Sequence, residues 1–158
     1  MPIRTGFGLD VHQLKEGLAL IIGTVKIPYH KGCLAHSDGD VLIHAICDSL
    51  LGAAGLRDIG TYFPDTDLKY KGIASSELLI KVREMIEKAG YRIVNIDSTI
   101  VLQKPKISPF IEEMIIALAE ILKITDEQVS VKATTSEYLG FEGREEGISA
   151  YAVCLIEK

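Results

Sequence analysis

The segment GFGLDVH, residues 6–12, sets an aspartate and a histidine two positions apart. On a strand, residues two apart leave the same face, so Asp10 and His12 read as two metal ligands in need of a third. The stretch HSDGDVLIH, residues 36–44, offers one, and it holds two of the chain's four histidines. Asp40, His44 and Asp48 recur every four residues, a narrow polar stripe on an otherwise apolar helix, as expected of a helix that lines a polar cavity. His44 then completes a set of two imidazoles and one carboxylate with an open position, which suits catalytic zinc and equally suits iron(II) in an oxygenase. Asp48 reads either as a residue orienting His44 or as a solvated one. Cys47 reads as a small buried thiol rather than a ligand, and His30 as a solvent-facing residue.

A second cluster is VKATTSEYLGFEGR, residues 131–144. Three consecutive hydroxyls, then Glu137, then Gly140, Phe141, Gly143 and Arg144 fit a loop that holds phosphate oxygens and a hard cation, for which one carboxylate is enough when the substrate's phosphates complete the coordination. On these residues alone the plainer reading is a β-turn capped by serine and threonine. The nearby QKPKISP, residues 103–109, adds lysines to the first reading, while Asp65 and Asp67 in FPDTD read either as a carboxylate pair or as turn residues.

Elements must position these residues. Ile3–His12 and Leu18–Pro28 read as strands broken at Gly17 and Gly23, a hairpin opening the fold. A helix follows from Asp38 to Gly52 or Ala54, capped by Ser37 or Asp38, and GLRDIGTYFPDTD, residues 55–67, reads as a long loop. Ser75–Ala89 is an amphipathic helix stopped by Gly90, Arg92–Leu102 a strand, Pro109–Lys123 a helix, and Val129–Ala133 and Gly147–Glu157 strands. The expected fold is α/β, a two-layer sandwich of a mixed sheet with helices on one face. In PFIEEMIIALAEILK the polar residues occupy only roughly 100° of arc, so that helix either meets a second copy of the chain or is wedged deep in its own core.

The chain has 158 residues, expected as a single domain over 1–158, with 47% hydrophobic residues and a formal net charge of -5. That acidic balance argues against nucleic-acid and anionic-membrane partners. No apolar run reaches the roughly 20 residues of a membrane span, and Cys33, Cys47 and Cys154 form no paired spacing, so a reducing cytoplasm is expected.

Over its whole length the chain resembles the 2-C-methyl-D-erythritol 2,4-cyclodiphosphate synthase family, through GFGLDVH, AHSDGDVLIHAICDSLLGAAGLRDIGTYFPDTD at 35–67 and VKATTSEYLGFEGREEGI at 131–148. The resemblance implies a homotrimer of α/β subunits with active sites between neighbours, acting on a small cytidine diphosphate-linked substrate in the non-mevalonate isoprenoid pathway. It implies Zn2+ on Asp10, His12 and His44, and Mg2+ or Mn2+ on Glu137 with the substrate diphosphate. His36 and Thr135 match transition-state-stabilising positions, and Ser37 a neighbouring substrate contact. Asp58 and Gly60 match ribose contacts, and Phe63, Asp65 and Asp67 the methylerythritol segment. The loop Leu102–Ser108 with Lys106, and Thr134 beside it, match the cytosine pocket; Phe141 and Arg144 match the remaining contacts. Ser136 stands where a third threonine is expected and keeps the hydroxyl, and Leu9 stands where some relatives carry an aromatic residue, on the expected wall of a channel at the trimer axis. A non-catalytic trimeric module binding metal or nucleotide would share these ligands without turnover.

Overall fold

The structure, a computed structural model, describes residues 2–158. Its first strand, β1 (Ile3–Glu16), runs past His12, where the sequence placed its end. The next segment does not pair with it. Strands β2 (Leu20–Ile22) and β3 (Val25–Ile27) form their own antiparallel pair, and β4 (Lys31–Leu34), unforeseen in the sequence, takes the edge position beside the far end of β1. Partner choice between short strands is a tertiary matter that local alternation does not encode.

Helix α1 (Val41–Ala54) follows, and of its residues only Asp48, Gly52 and Ala54 escape full burial. Its cap is neither Ser37 nor Asp38 but Asp40, whose carboxylate accepts from Ile43 N at 3.1 Å and from the β2–β3 turn at Gly23 N and Thr24 N, 2.9 and 2.7 Å away. The expected loop at 55–67 contains a short helix, α2 (Ile59–Tyr62), capped by Asp58. Helix α3 (Ser75–Lys88) and strand β5 (Arg92–Val101) lie where the sequence placed them. Helix α4 (Ile111–Leu122) starts later than expected, because Ser108–Phe110 makes a tighter turn of its own around Pro109. Strand β6 (Val129–Thr134), a short helix α5 (Gly140–Gly143) and strand β7 (Gly147–Glu157) complete the chain.

The main sheet has the order β4-β1-β7-β5-β6, antiparallel except for β5 and β6. On β1, β7 and most of β5 the even-numbered residues face the helices and the odd-numbered ones face away. Gly6 and Gly8 of β1 lie directly under α1: a Cβ on Gly8 would overlap the Ala45 carbonyl, and one on Gly6 the Ser49 carbonyl. Two glycines thus let the helix backbone settle on the strand, which brings a helix side chain within reach of Asp10 and His12. Helix α4 spends its apolar excess within the chain, with Met114, Leu118, Ala119 and Leu122 buried and, of its aliphatic residues, Ile116 alone largely open. The open apolar surface is on the other side of the sheet, where Ile3, Phe7, Leu9, Val11, Tyr151 and Val153 are all exposed.

Burial pushes the Asp40 carboxyl up to about 6, against three backbone N–H donors that pull it down. The folded protein therefore holds this proton more tightly than the unfolded chain. Its contribution to stability is fully present below 3.8, the ordinary value, and is lost as the pH rises through about 6. Asp40→Asn removes that titration. It also turns an amide NH2 towards backbone donors, a cost of about 2 kcal/mol. Thermal unfolding across this pH range should show the wild type declining relative to the variant, and parallel profiles would contradict this role.

Candidate metal centre and substrate cleft

Three ligand atoms meet at the mouth of α1. Asp10 Oδ2 lies 2.9 Å from His12 Nε2 and 3.1 Å from His44 Nδ1, and the two ring nitrogens are 3.2 Å apart. A tetrahedral ion with bonds of about 2.0 Å places neighbouring ligands about 3.3 Å apart, so this triangle fits one face of such a site with small adjustments. Asp10, His12 and His44 are therefore close enough to hold a metal ion. Burial opposes ionisation of Asp10, but hydrogen bonds and charge from both histidines outweigh it and hold the carboxyl below its ordinary value. For His44 burial disfavours the charged ring, and the bond to Asp10 with the surrounding carboxylates overcomes it, raising the imidazole. Coordination by a cation would replace this internal pairing.

The triad opens into a cleft of about 340 Å³ that is also lined by His36, Ser37, Gly60, Phe63 and Asp65. Tyr70 and Lys71 line it too, and no spacing in the sequence marked them. Residues 36–38 are held in place by the chain before α3, through Gly72 N to His36 O at 2.7 Å and Asp38 N to Ile73 O at 3.3 Å. Asp58 does not line the cleft but caps α2, accepting from Thr61 N at 2.9 Å and from the Thr61 hydroxyl, and these bonds hold its carboxyl below the ordinary value. Asp67 caps the turn Leu68–Tyr70 through Lys69 N and is likewise outside the lining.

The polar stripe on α1 is not a cavity wall as a whole. Asp40 is turned under the β2–β3 hairpin, and Asp48 accepts from Ile59 N at 2.9 Å, tying α2 to α1. Only His44 of the three reaches the cleft, because the other two carboxylates are consumed by backbone donors of neighbouring elements. His30 is largely exposed and pairs with Glu16, as its loop position implied.

The second cluster stands apart from the first. Val11, Ser149, Val101 and Thr134 form one row across β1, β7, β5 and β6, three strand spacings or about 14 Å. This row belongs to the face away from the helices, whereas Asp10 and His12 point to the helix side. Lys106, Thr134, Thr135 and Glu137 are exposed on that far half, and none lines the cleft. Glu137 and Tyr138 both have left-handed backbone, with Glu137 N bonded to the Thr135 hydroxyl at 3.2 Å and Tyr138 N to Gln103 Oε1 at 3.1 Å. Phe141 lies over Gly147, and Arg144 is engaged by both carboxylate oxygens of Glu146. Within one chain, then, Thr134 of the second cluster faces the opposite side of the sheet from Asp10 and His12.

Among the described residues no helix is long and apolar enough to cross a membrane. A model of the YgbB family matches residues 3–157. A 2-C-methyl-D-erythritol 2,4-cyclodiphosphate synthase of Syntrophomonas wolfei is 56% identical over 156 residues, covering 99% of each chain. The bifunctional IspDF of Campylobacter jejuni superposes on 98% of this chain with a TM-score of 0.95 and 42% identity; this chain spans 42% of that longer protein. An IspF of Plasmodium falciparum in complex with CDP superposes with a TM-score of 0.86 and 39% identity, over 98% of this chain and 95% of its own.

Proposed function

The chain belongs to the YgbB family, and from that premise we infer that it is an enzyme of the lyase kind that converts 4-diphosphocytidyl-2-C-methyl-D-erythritol 2-phosphate to 2-C-methyl-D-erythritol 2,4-cyclodiphosphate and CMP. An oxygen of the substrate's own 2-phosphate attacks the β-phosphorus. The bond from that phosphorus to the oxygen bridging the two phosphates breaks, and CMP departs with the bridging oxygen. No protein nucleophile and no water enter the balance, so the protein's work is to fold the substrate and neutralise charge.

The observation that carries this reading is the Asp10, His12 and His44 cluster open to the cleft beside His36. Zn2+ on those three residues, with Mg2+ or Mn2+ on Glu137, supplies Lewis-acid stabilisation of the diphosphate when bound. His36 and Thr135 donate to the phosphoryl oxygens as charge builds there, and Ser37 holds the neighbouring phosphate. Gly60 and Asp58 receive the ribose, Phe63, Asp65 and Asp67 the methylerythritol carbon chain. Lys106 and Thr134, with the loop Leu102–Ser108, receive cytosine, and Phe141 and Arg144 complete the contacts, Arg144 by exchanging Glu146 for phosphate.

These roles need both clusters on one substrate, and Thr134 and the Asp10–His12 pair lie about 14 Å across the sheet on its opposite faces, an arrangement that two adjoining chains bring together. We therefore place the active site between neighbouring copies in a homotrimer, the number three coming from the family resemblance. The exposed apolar sheet face around Phe7, Leu9, Tyr151 and Val153 supports association, since an uncovered patch of this kind marks an interface. Cytoplasmic action agrees with three buried thiols left unpaired. Turnover in water enriched with the heavy oxygen isotope tests the reaction: neither product should acquire label from solvent. Label in either product would mean hydrolysis and overturn the cyclisation.

A further inference from the structure

We propose that Ser75 is a positioning residue for the metal centre, and that its hydroxyl fixes His44 as the tautomer protonated on Nε2, leaving the Nδ1 lone pair towards Asp10 and His12. This inference rests on the metal-centre reading above. The two ring nitrogens of His44 face different neighbours. Nδ1 lies 3.1 Å from Asp10 Oδ2 and 3.2 Å from His12 Nε2, while Nε2 lies 3.0 Å from Ser75 Oγ and 3.3 Å from Ser37 Oγ. A hydroxyl both donates and accepts, so the tautomer is open until the Ser75 proton is placed.

Asp38 places it. One carboxylate oxygen accepts from Ser75 N at 3.0 Å, and the other accepts from Asp40 N at 3.2 Å and takes the Ser75 hydroxyl as well. With both oxygens already receiving backbone N–H groups, the carboxylate is an acceptor towards Ser75, and the hydroxyl proton is committed to it. What Ser75 Oγ offers to Nε2 is a lone pair, so Nε2 carries the proton of the neutral ring. Nδ1 donates to Asp10 only when the ring is charged, and on the neutral ring the proton of His12 Nε2, 2.9 Å from Asp10 Oδ2 and 3.2 Å from His44 Nδ1, serves both. Ser75 is fully buried, so no solvent competes for these bonds.

Removing the hydroxyl changes which arrangement wins. Ser37 Oγ, which accepts from Gly39 N at 3.2 Å, then donates to Nε2, and the Asp10 carboxylate accepts from a proton on Nδ1. That tautomer puts a proton where the metal bond must form. Partners that hold a ligating histidine in the right tautomer typically contribute 10- to 100-fold in metal affinity, about the effect expected here.

The test uses metal-stripped enzyme labelled with nitrogen-15 in histidine, at a pH where His44 is neutral, together with zinc affinity from competition against a chromophoric chelator. Wild type should show His44 protonated on Nε2. Ser75→Ala, with native circular dichroism, should shift the proton to Nδ1 and weaken zinc binding about 10- to 100-fold. Ser75→Thr, which keeps the hydroxyl, should restore both. A wild-type His44 protonated on Nδ1 overturns the proposal without any variant. So does a folded Ser75→Ala protein that loses only thermal stability and binds zinc as wild type does. Wild type that binds no zinc at all would instead overturn the metal-centre reading, while its tautomer still decides the role of Ser75.

Discussion

Replacing His44 by alanine is expected to abolish zinc binding and to lower kcat/KM by about three orders of magnitude or more, the several kcal/mol that a Lewis acid contributes to a phosphoryl transition state. Three residues lie close enough to hold the ion, and His44 comes from a different element from the other two, so its loss leaves Asp10 and His12 as a mere pair on β1. Folding should survive, because the ring is at the cleft end of α1 and the apolar residues that seat the helix are untouched. Glu137→Ala is the informative contrast. It lies on the exposed turn of the second cluster, so zinc stays stoichiometric while diphosphate binding and turnover fall. Metal analysis beside steady-state kinetics separates the two variants, and stoichiometric zinc in the His44 variant would remove it from the ligand set.

Mixing those two inactive variants should restore activity. If each active site takes His44 from one copy and Glu137 from its neighbour, random trimers of the two variants contain intact sites at about a quarter of positions. Co-expressed protein should therefore reach about a quarter of the wild-type rate, from two parents that are nearly silent. The expectation follows from the sheet. The row ending at Thr134 opens on the face away from the helices, and the Asp10 and His12 side chains open on the helix side. A site complete within one chain gives no intact combination, and the mixture would then stay as silent as its parents.

Much of the fold was legible because period and burial agree over long elements. Gly147–Glu157 is a long apolar run in the middle of the sheet, and Ser75–Lys88 carries one apolar stripe, so both lie where the sequence placed them. Shorter elements were not legible. Strand β4 spans four residues around Gly32 and is a strand only because the far end of β1 pairs with it. The cap of α1 reads as Ser37 or Asp38, whereas Asp40 takes it, held there by the amides of Gly23 and Thr24 distant in sequence, while Asp38 is drawn to Ser75.

The site divides in the same way. His44 was legible because a strand pair lacked a third ligand and a buried helix carried one imidazole at the right end. The same four-residue period misplaced Asp40 and Asp48, whose carboxylates are taken by the amides of Gly23, Thr24 and Ile59. Ser75 read only as a helix start, since nothing local ties it to Asp38, 37 residues away. His36 reaches the cleft by the pairing of residues 36–38 with 72–75, which no spacing encodes.

Release of CMP from 4-diphosphocytidyl-2-C-methyl-D-erythritol 2-phosphate, followed before and after chelation, tests the metal-dependent cyclisation most directly. The metal-replete protein should release CMP in step with the cyclic diphosphate, fall silent when Zn2+ and Mg2+ are withdrawn, and recover when both are returned. Metal-replete protein that releases no CMP, or release that chelation leaves untouched, would contradict it.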